Sequence, residues 1–206
     1  MATDKASGDW LLFLAQLPSS PSSARVALWR RLHAIGAAGI LNSSWVLPYT
    51  TAHLQFFEKL QDTVRKQGGK AFVLTVSEPA PEVGAMMAER FRADRGREYD
   101  EFAERGQALL AEISKETRAG KFTFAELEEA EQDLKKLIRW LAKIHARDFF
   151  PDERWPQSDE MLKDCRRALK DFSQAVYAAV AGEAPAAGDD AVRGLMNGED
   201  GGHLPR

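Results

Sequence analysis

The sequence predicts an α+β protein in which a ferredoxin-like βαββαβ sheet domain is followed by three long packed helices. Up to residue 78, short apolar runs bounded by turn signals alternate with two amphipathic segments. After Pro81 the apolar period becomes helical and stays so to residue 182. The 206 residues, 44% of them apolar and 29% charged, are sufficient to bury a core.

The front part, residues 9–78, contains four predicted strands and two helices. The first strand is a continuous apolar run closed by Pro18, and Gly36 and the Gly68-Gly69 pair stop the two helices. Asn42-Ser43 is expected to form a tight hairpin turn, because Asn tolerates a positive φ. The expected elements are strand 10–17, a helix capped by Ser22 or Ser23 and running to 35, strands 37–41 and 44–47, a helix starting at Thr50 or Thr51, and strand 70–77.

The back part, residues 82–182, is predicted to be helical and to pack on the front part as one compact unit. The first of its helices covers about Val83–Thr117, Thr123 and Glu126 form a capping box for the second, and Ser158 caps the third. Residues 183–206 are rich in Ala, Gly and Asp and are predicted to be a disordered tail. The apolar stripes are Met87, Phe91, Phe102, Leu109 and Ile113; Leu127, Ala130, Leu134, Leu137, Leu141 and Ile144; and Leu162, Cys165, Leu169, Phe172, Val176 and Val180.

The composition argues against several classes of function. The single cysteine, Cys165, cannot form an internal disulfide, and the apolar run at residues 10–17 is too short for a signal peptide or a membrane span, so a cytoplasmic location is expected. The four histidines show no metal-ligand spacing. No nucleophile motif or phosphate-binding glycine loop is present. We therefore expect no metal, no cofactor and no catalytic site, and hence not an enzyme.

Charge is unevenly distributed along the chain. The net charge is −3, but residues 1–80 carry eight Lys/Arg against five Asp/Glu, and residues 81–206 carry twenty against twenty-six. Three arginines of the first helix, Arg25, Arg30 and Arg31, are candidates for an anion or nucleic-acid contact. The alternative is an ordinary solvated face with a packed Trp29.

A second basic cluster contains one arginine at an apolar position. Arg95 projects into the stripe between Phe91 and Phe102, and a charge there is costly unless it is paired. The two candidate partners are Glu98, one turn along, and Asp148, at the end of the next long helix. Two hypotheses stay open: a buried ion pair that fixes the register of the helices, or an oxyanion pocket formed by Arg95 with a neighbouring arginine.

Three segments resemble the amino-terminal domain of the chromate-resistance protein ChrB. They are WLLFLAQLPSSPSSARVALWRRLHAIGAAGILNSSWVLP, FRADRGREYDEF and ARDFFP at 146–151. The front half is also similar to the central domain of the phenylacetate-pathway repressor PaaX. It is more distantly similar to a small CRISPR-associated ferredoxin-like nuclease, whose activity uses a carboxylate where this chain has Gln16.

The resemblance implies a regulatory or accessory role in chromate resistance, in the control of chromate efflux genes. The partners that it implies are DNA or a partner regulator, and chromate or another oxyanion. No membrane partner is expected, and a homo-oligomer stays open. The alternative function is a nucleic-acid-binding ferredoxin-like module with no oxyanion role.

Overall fold

The computed structural model describes residues 9–19 and 22–183 and confirms the α+β class. A four-stranded antiparallel sheet has the strand order β2-β3-β1-β4. Within the described ranges no strand follows β4. The predicted tail lies outside the described residues from residue 184 onward. The elements are β1 (Trp10–Gln16), α1 (Ser22–Ile35), β2 (Ala38–Leu41), β3 (Ser44–Pro48), α2 (Thr51–Lys66), β4 (Lys70–Val76), α3 (Pro81–Arg118), α4 (Phe124–His145) and α5 (Arg154–Glu183).

Polar side chains fix the beginnings of two helices as the sequence indicates. The hydroxyl of Thr50 accepts a hydrogen bond from the backbone N–H of His53 at 3.0 Å, which caps α2. At the start of α4, the hydroxyl of Thr123 accepts from the N–H of Glu126 at 3.3 Å. Each bond satisfies a backbone donor that has no partner within the helix.

The hairpin turn at residues 42–43 forms as predicted, although the residue with the positive φ differs, and one helix cap was predicted wrongly. In the hairpin turn Ser43, not Asn42, takes the positive φ of 63°. Ser158 does not cap α5, because the carboxylate of Asp152 already accepts the backbone N–H of Arg154 at 2.9 Å and the helix begins there. The hydroxyl of Ser158 instead donates to the carbonyl of Trp155 one turn back.

Helices α1 and α2 cover one face of the sheet. Alternate residues of β1, such as Leu11 and Phe13, point to this face and are fully buried. The ring of Phe13 stacks on that of Phe57 of α2 with 5.0 Å between centroids. Burying Phe57 and the other apolar residues on this face supplies the main stabilising free energy of the front part.

The opposite face is covered in part by the helical region, through an aromatic junction of Trp10, Phe91, Phe149 and Phe150. The ring of Phe150 stacks on Trp10 at 5.5 Å, and Phe91 of α3 lies 5.5 Å from Phe150 and 5.7 Å from Phe149. The edge of Phe149 also meets His53 of α2 at 5.2 Å. The two phenylalanines after α4 therefore join the helical part to the sheet.

Helices α3, α4 and α5 enclose a second core built from the predicted stripes. The α4 stripe is buried along its whole length. On α5 the stripe is buried as far as Val176, but Val180, predicted to continue it, is exposed. Helix α5 approaches α3 closely at Gly106, where an added Cβ would lie 2.7 Å from Met161. The thiol of Cys165 is buried there and donates to the Gly106 carbonyl at 3.6 Å, and burial raises its pKa.

Candidate functional site

The three predicted arginines of α1 are exposed but differ in their contacts. The guanidinium of Arg25 donates to the carbonyls of Pro18 and Ser19, which ties the loop after β1 to the helix. Arg31 donates to the hydroxyl of Thr63 of α2 at 3.3 Å and lies over the Phe56 ring. Arg30 makes no hydrogen bond or ion pair with the described residues. Arg30 is thus the most available of the three for an external ligand.

Trp29 is not packed into the core, although the alternative of a solvated α1 face expected a packed Trp29. Its side chain is 53% exposed, and its ring lies 4.1 Å from the ring of His33. The exposed indole of Trp29 and the charge of the next residue, Arg30, give this helix both a stacking surface and a positive charge. We call the exposed residues Trp29, Arg30 and Arg31 the α1 surface.

A buried ion-pair cluster lies behind this surface, where α1, α3 and the end of α4 meet. Arg95 is 5% exposed, and its Nη1 lies 2.8 Å from the carboxylate of Glu98. The other oxygen of Glu98 lies 2.5 Å from Nη2 of Arg147. The Glu98 carboxylate therefore sits between two guanidinium groups, one from α3 and one from the residues after α4.

Arg147 extends this cluster to α1. Its guanidinium also donates to the carbonyl of His33 at 3.3 Å and to that of Lys143 at 2.9 Å. Its side chain packs against Gly36, where an added Cβ would lie 2.8 Å from that of Arg147. Because Gly36 has a φ of +83°, it both ends α1 and leaves room for the arginine.

The second candidate partner of Arg95 is bonded elsewhere. The carboxylate of Asp148 accepts a hydrogen bond from the hydroxyl of Tyr99 at 2.8 Å and another from the N–H of Phe150 at 3.3 Å. Tyr99 is 4% exposed, and its pKa is raised by burial and by the bond to Asp148, so the phenol stays neutral and donates. Asp148 thereby fixes the Phe149-Phe150 segment to α3.

The arginine of the buried pair is incompletely satisfied. Within the described residues, Nε and Nη1 of Arg95 have no hydrogen-bond acceptor with good geometry, although Glu98 is close to Nη1. Burial lowers the pKa of Arg95, while Glu98 acts to raise it. The attraction of Glu98 is thus what compensates the desolvation of this charge.

A histidine continues the polar region towards α5. The ring of His145 stacks on Trp155 with 3.8 Å between centroids, and its Nε2 lies 3.4 Å from the Ser158 hydroxyl. Burial lowers the pKa of His145, against opposing effects of Asp159 and Asp148. The unfolded chain therefore binds protons more readily than the folded one as the pH falls through the unfolded value of 6.5.

We expect the contribution of neutral His145 to the free energy of unfolding to be complete above pH 6.5. This contribution should be lost as the pH falls towards the lowered pKa of His145 in the folded protein. Thermal unfolding of the wild type and a His145→Phe variant, over a series between about pH 7.5 and 5.5, measures it. Phenylalanine keeps the stacking on Trp155 but cannot bind a proton. The stability of the variant should fall less steeply with acid, and superimposable profiles would contradict the assignment.

A groove of about 650 Å³ lies between α3 and α4. Its floor is apolar, with Leu109, Ile113 and Leu137, and its rim carries six carboxylates against two cations. Glu126 and Glu129, near the start of α4, belong to this rim. Negative charge of this density disfavours nucleic acid and oxyanions. The α1 surface is therefore the better candidate for an anionic ligand.

Several residues of the site escaped sequence reasoning. Arg147 and Tyr99 were not singled out, although each adjoins a residue that was: Arg147 precedes Asp148, and Tyr99 follows Glu98. Tyr99 also lies four residues after Arg95, on the same stripe of α3, which was the available signal. Among the described residues, no His, Cys, Asp or Glu cluster could hold a metal ion, and no helix is long and apolar enough to cross a membrane.

Comparison with known proteins gives two matches. A family model described as "Protein ChrB, N-terminal" matches residues 25–183. Protein ChrB of Cupriavidus metallidurans is 26% identical to this chain over 162 residues, which cover 78% of this chain and 46% of that protein. The match thus spans about half the length of the curated relative. The matched residues include the α1 surface, the ion-pair cluster and Phe149-Phe150.

Proposed function

Since the chain belongs to the family of the ChrB amino-terminal region, we propose that it acts in chromate resistance as a regulatory or accessory protein in the control of chromate efflux genes. The observation that carries the proposal is the family match over residues 25–183. It agrees with the resemblance of the Trp10–Pro48, 91–102 and 146–151 segments.

The proposed contact with DNA is made by the α1 surface. Trp29 is exposed, Arg30 is free of hydrogen bonds and ion pairs within the described residues, and Arg31 lies on the same helix. The strand order, read from the other edge as β4-β1-β3-β2, also supports the ferredoxin-like assignment of the front part. This sheet would present α1 and α2 to the nucleic acid as one rigid surface.

In this proposal Arg95 is a structural residue and not part of an oxyanion pocket. The space between Arg95 and Arg147 is already occupied by the carboxylate of Glu98. A tetrahedral oxyanion would have to displace Glu98 and leave it without its two cations. A correctly folded Arg95→Gln variant should therefore retain any response to chromate.

The test is a gel-shift assay of the protein with its own promoter region, with and without chromate. We expect binding, and we expect Arg30→Ala to weaken it and to reduce the dependence of log K on log salt by about one unit. Trp29→Ala should also weaken binding, through lost stacking. Arg166→Ala, an exposed arginine on α5, is the matched control and should have no effect.

The second candidate function, a nucleic-acid-binding module with no oxyanion role, is supported by the same α1 surface. DNA binding that chromate changes would support the first function. Binding that is indifferent to chromate would support the second. No binding, or binding unchanged in an Arg25→Ala, Arg30→Ala, Arg31→Ala triple variant, would overturn the proposed contact.

A further inference from the structure

Strand β4 is an edge of the sheet and carries exposed apolar side chains. It pairs with β1 on one side and ends the order β2-β3-β1-β4 on the other. Phe72 and Leu74 point to the same face and are 56% and 47% exposed. Proteins normally protect such edges, since an exposed apolar edge strand pairs with further strands.

The backbone groups available on this edge follow from the pairing of β1. The N–H of Ala15 donates to Ser43, and the carbonyl of Asp9 accepts from Tyr49, so the odd-numbered residues of β1 turn their backbone groups towards β3 and away from β4. Its even-numbered residues bond to β4, where they face Phe72, Leu74 and Val76. The backbone groups of the odd-numbered residues of β4 therefore point outward.

One of these outward positions is already occupied. The side-chain amide of Gln61 donates to the carbonyl of Ala71 at 2.9 Å. The outward groups of Val73 and Thr75 have no hydrogen-bond partner among the described residues. The free part of the edge is thus centred on Leu74.

We propose that β4 pairs antiparallel with β4 of a second copy of this chain, about a two-fold axis at Leu74. In that register Val73 lies opposite Thr75 of the second copy, so the free backbone groups satisfy each other. Phe72 lies opposite Val76 of the second copy on the exposed face. A register centred on Val73 would instead require the carbonyl of Ala71, which is bonded to Gln61.

The charges at the two ends of the strand favour the same register. The register brings Lys70 of one copy to the end of β4 of the second copy, near Glu78, which follows the strand with a φ of 48°, and the two-fold axis repeats this approach at the other end. Both residues are exposed and make no ion pair within the described residues. A lone lysine on an edge discourages pairing, whereas one facing a carboxylate selects a register. The proposal does not depend on the function proposed above.

The test is the mass of the full chain by light scattering and sedimentation over a concentration series. We expect a dimer that dissociates on dilution. Thr75→Pro removes an outward N–H and leaves the bonds to β1 intact, and should weaken the dimer by about tenfold or more. Lys70→Glu and Glu78→Lys should each weaken it, and the double charge exchange should restore it.

Leu41→Lys, on the opposite edge strand β2, is the matched control and should leave the dimer unchanged. Circular dichroism and thermal unfolding of each variant identify any that fails to fold. Lys70→Glu retains the strand backbone and serves if Thr75→Pro does not fold. A wild type that stays monomeric at every concentration would overturn the proposal. So would a dimer whose dissociation does not change in the β4 variants that fold.

Discussion

Replacing Glu98 by glutamine should lower the free energy of unfolding by about 3 kcal/mol. The carboxylate is the counterion of two guanidinium groups, and the more deeply buried one, Arg95, is 5% exposed. Removal of one partner leaves a buried cation without compensation, which costs more than the pair contributes when intact. Denaturant titration of the wild type and the variant measures the loss, provided that the unfolding free energy of both falls with denaturant at the same slope.

The matched control is Glu101→Gln on the same helix. Glu101 lies 3.9 Å from Arg105, and both side chains are well exposed, so its loss should cost less than about 1 kcal/mol. A second comparison replaces the pair by Arg95→Met with Glu98→Leu, which should restore part of the stability, because the most buried cation is removed while Arg147 still loses its counterion. If Glu98→Gln lost no more unfolding free energy than Glu101→Gln, the Glu98 carboxylate would contribute no more to stability than an exposed ion pair does.

Phe91→Ala should cost about 3–5 kcal/mol. The ring is 1% exposed and contacts Trp10, Phe149 and Phe150, so its removal leaves a cavity in the aromatic junction. Phe124→Ala, at an aromatic residue 49% exposed at the start of α4, is the control and should cost much less. Thermal or denaturant unfolding of the two variants gives the comparison.

The same variant tests our proposal that residues 9–78 and 82–182 form one compact unit. In the wild type, limited proteolysis should not release a stable fragment cut near residues 79–81, because the junction holds the two parts together. Phe91→Ala should make this linker susceptible before the rest of the chain. If protease readily cut the wild type at residues 79–81 and released a stable fragment, the proposal of one compact unit would be contradicted.

Elements whose ends are set locally could be predicted from the sequence. Thr50 and Thr123 cap helices through bonds to residues three positions along, and the α4 stripe follows from its spacing alone. The start of α5 was missed because Asp152 and Ser158 are both good caps, and the sequence does not rank them. The hairpin turn was predicted at the right residues, but the sequence did not show that Ser43 and not Asn42 takes the positive φ.

The partners in the site depend on distant parts of the chain, which sequence spacing does not determine. Helical projection placed Arg95 on the buried stripe and Glu98 beside it. It could not show whether Asp148 would reach Arg95 or Tyr99, because that depends on how far α4 extends before the chain turns. The exposure of Trp29 also escaped projection, since the width of the covered face depends on how α1 sits on the sheet.

The aromatic junction has a consequence for how the chain folds as it is synthesised. Trp10 belongs to the first strand, but the ring that stacks on it, Phe150, comes after α4. Arg147 likewise bonds to a carbonyl of α1 that lies 114 positions earlier. At a translation rate of about 5–20 residues per second, the front sheet waits on the order of ten seconds for these residues. Until then one apolar face of the nascent sheet is without its cover, so this interval is when we expect the chain to depend most on chaperones.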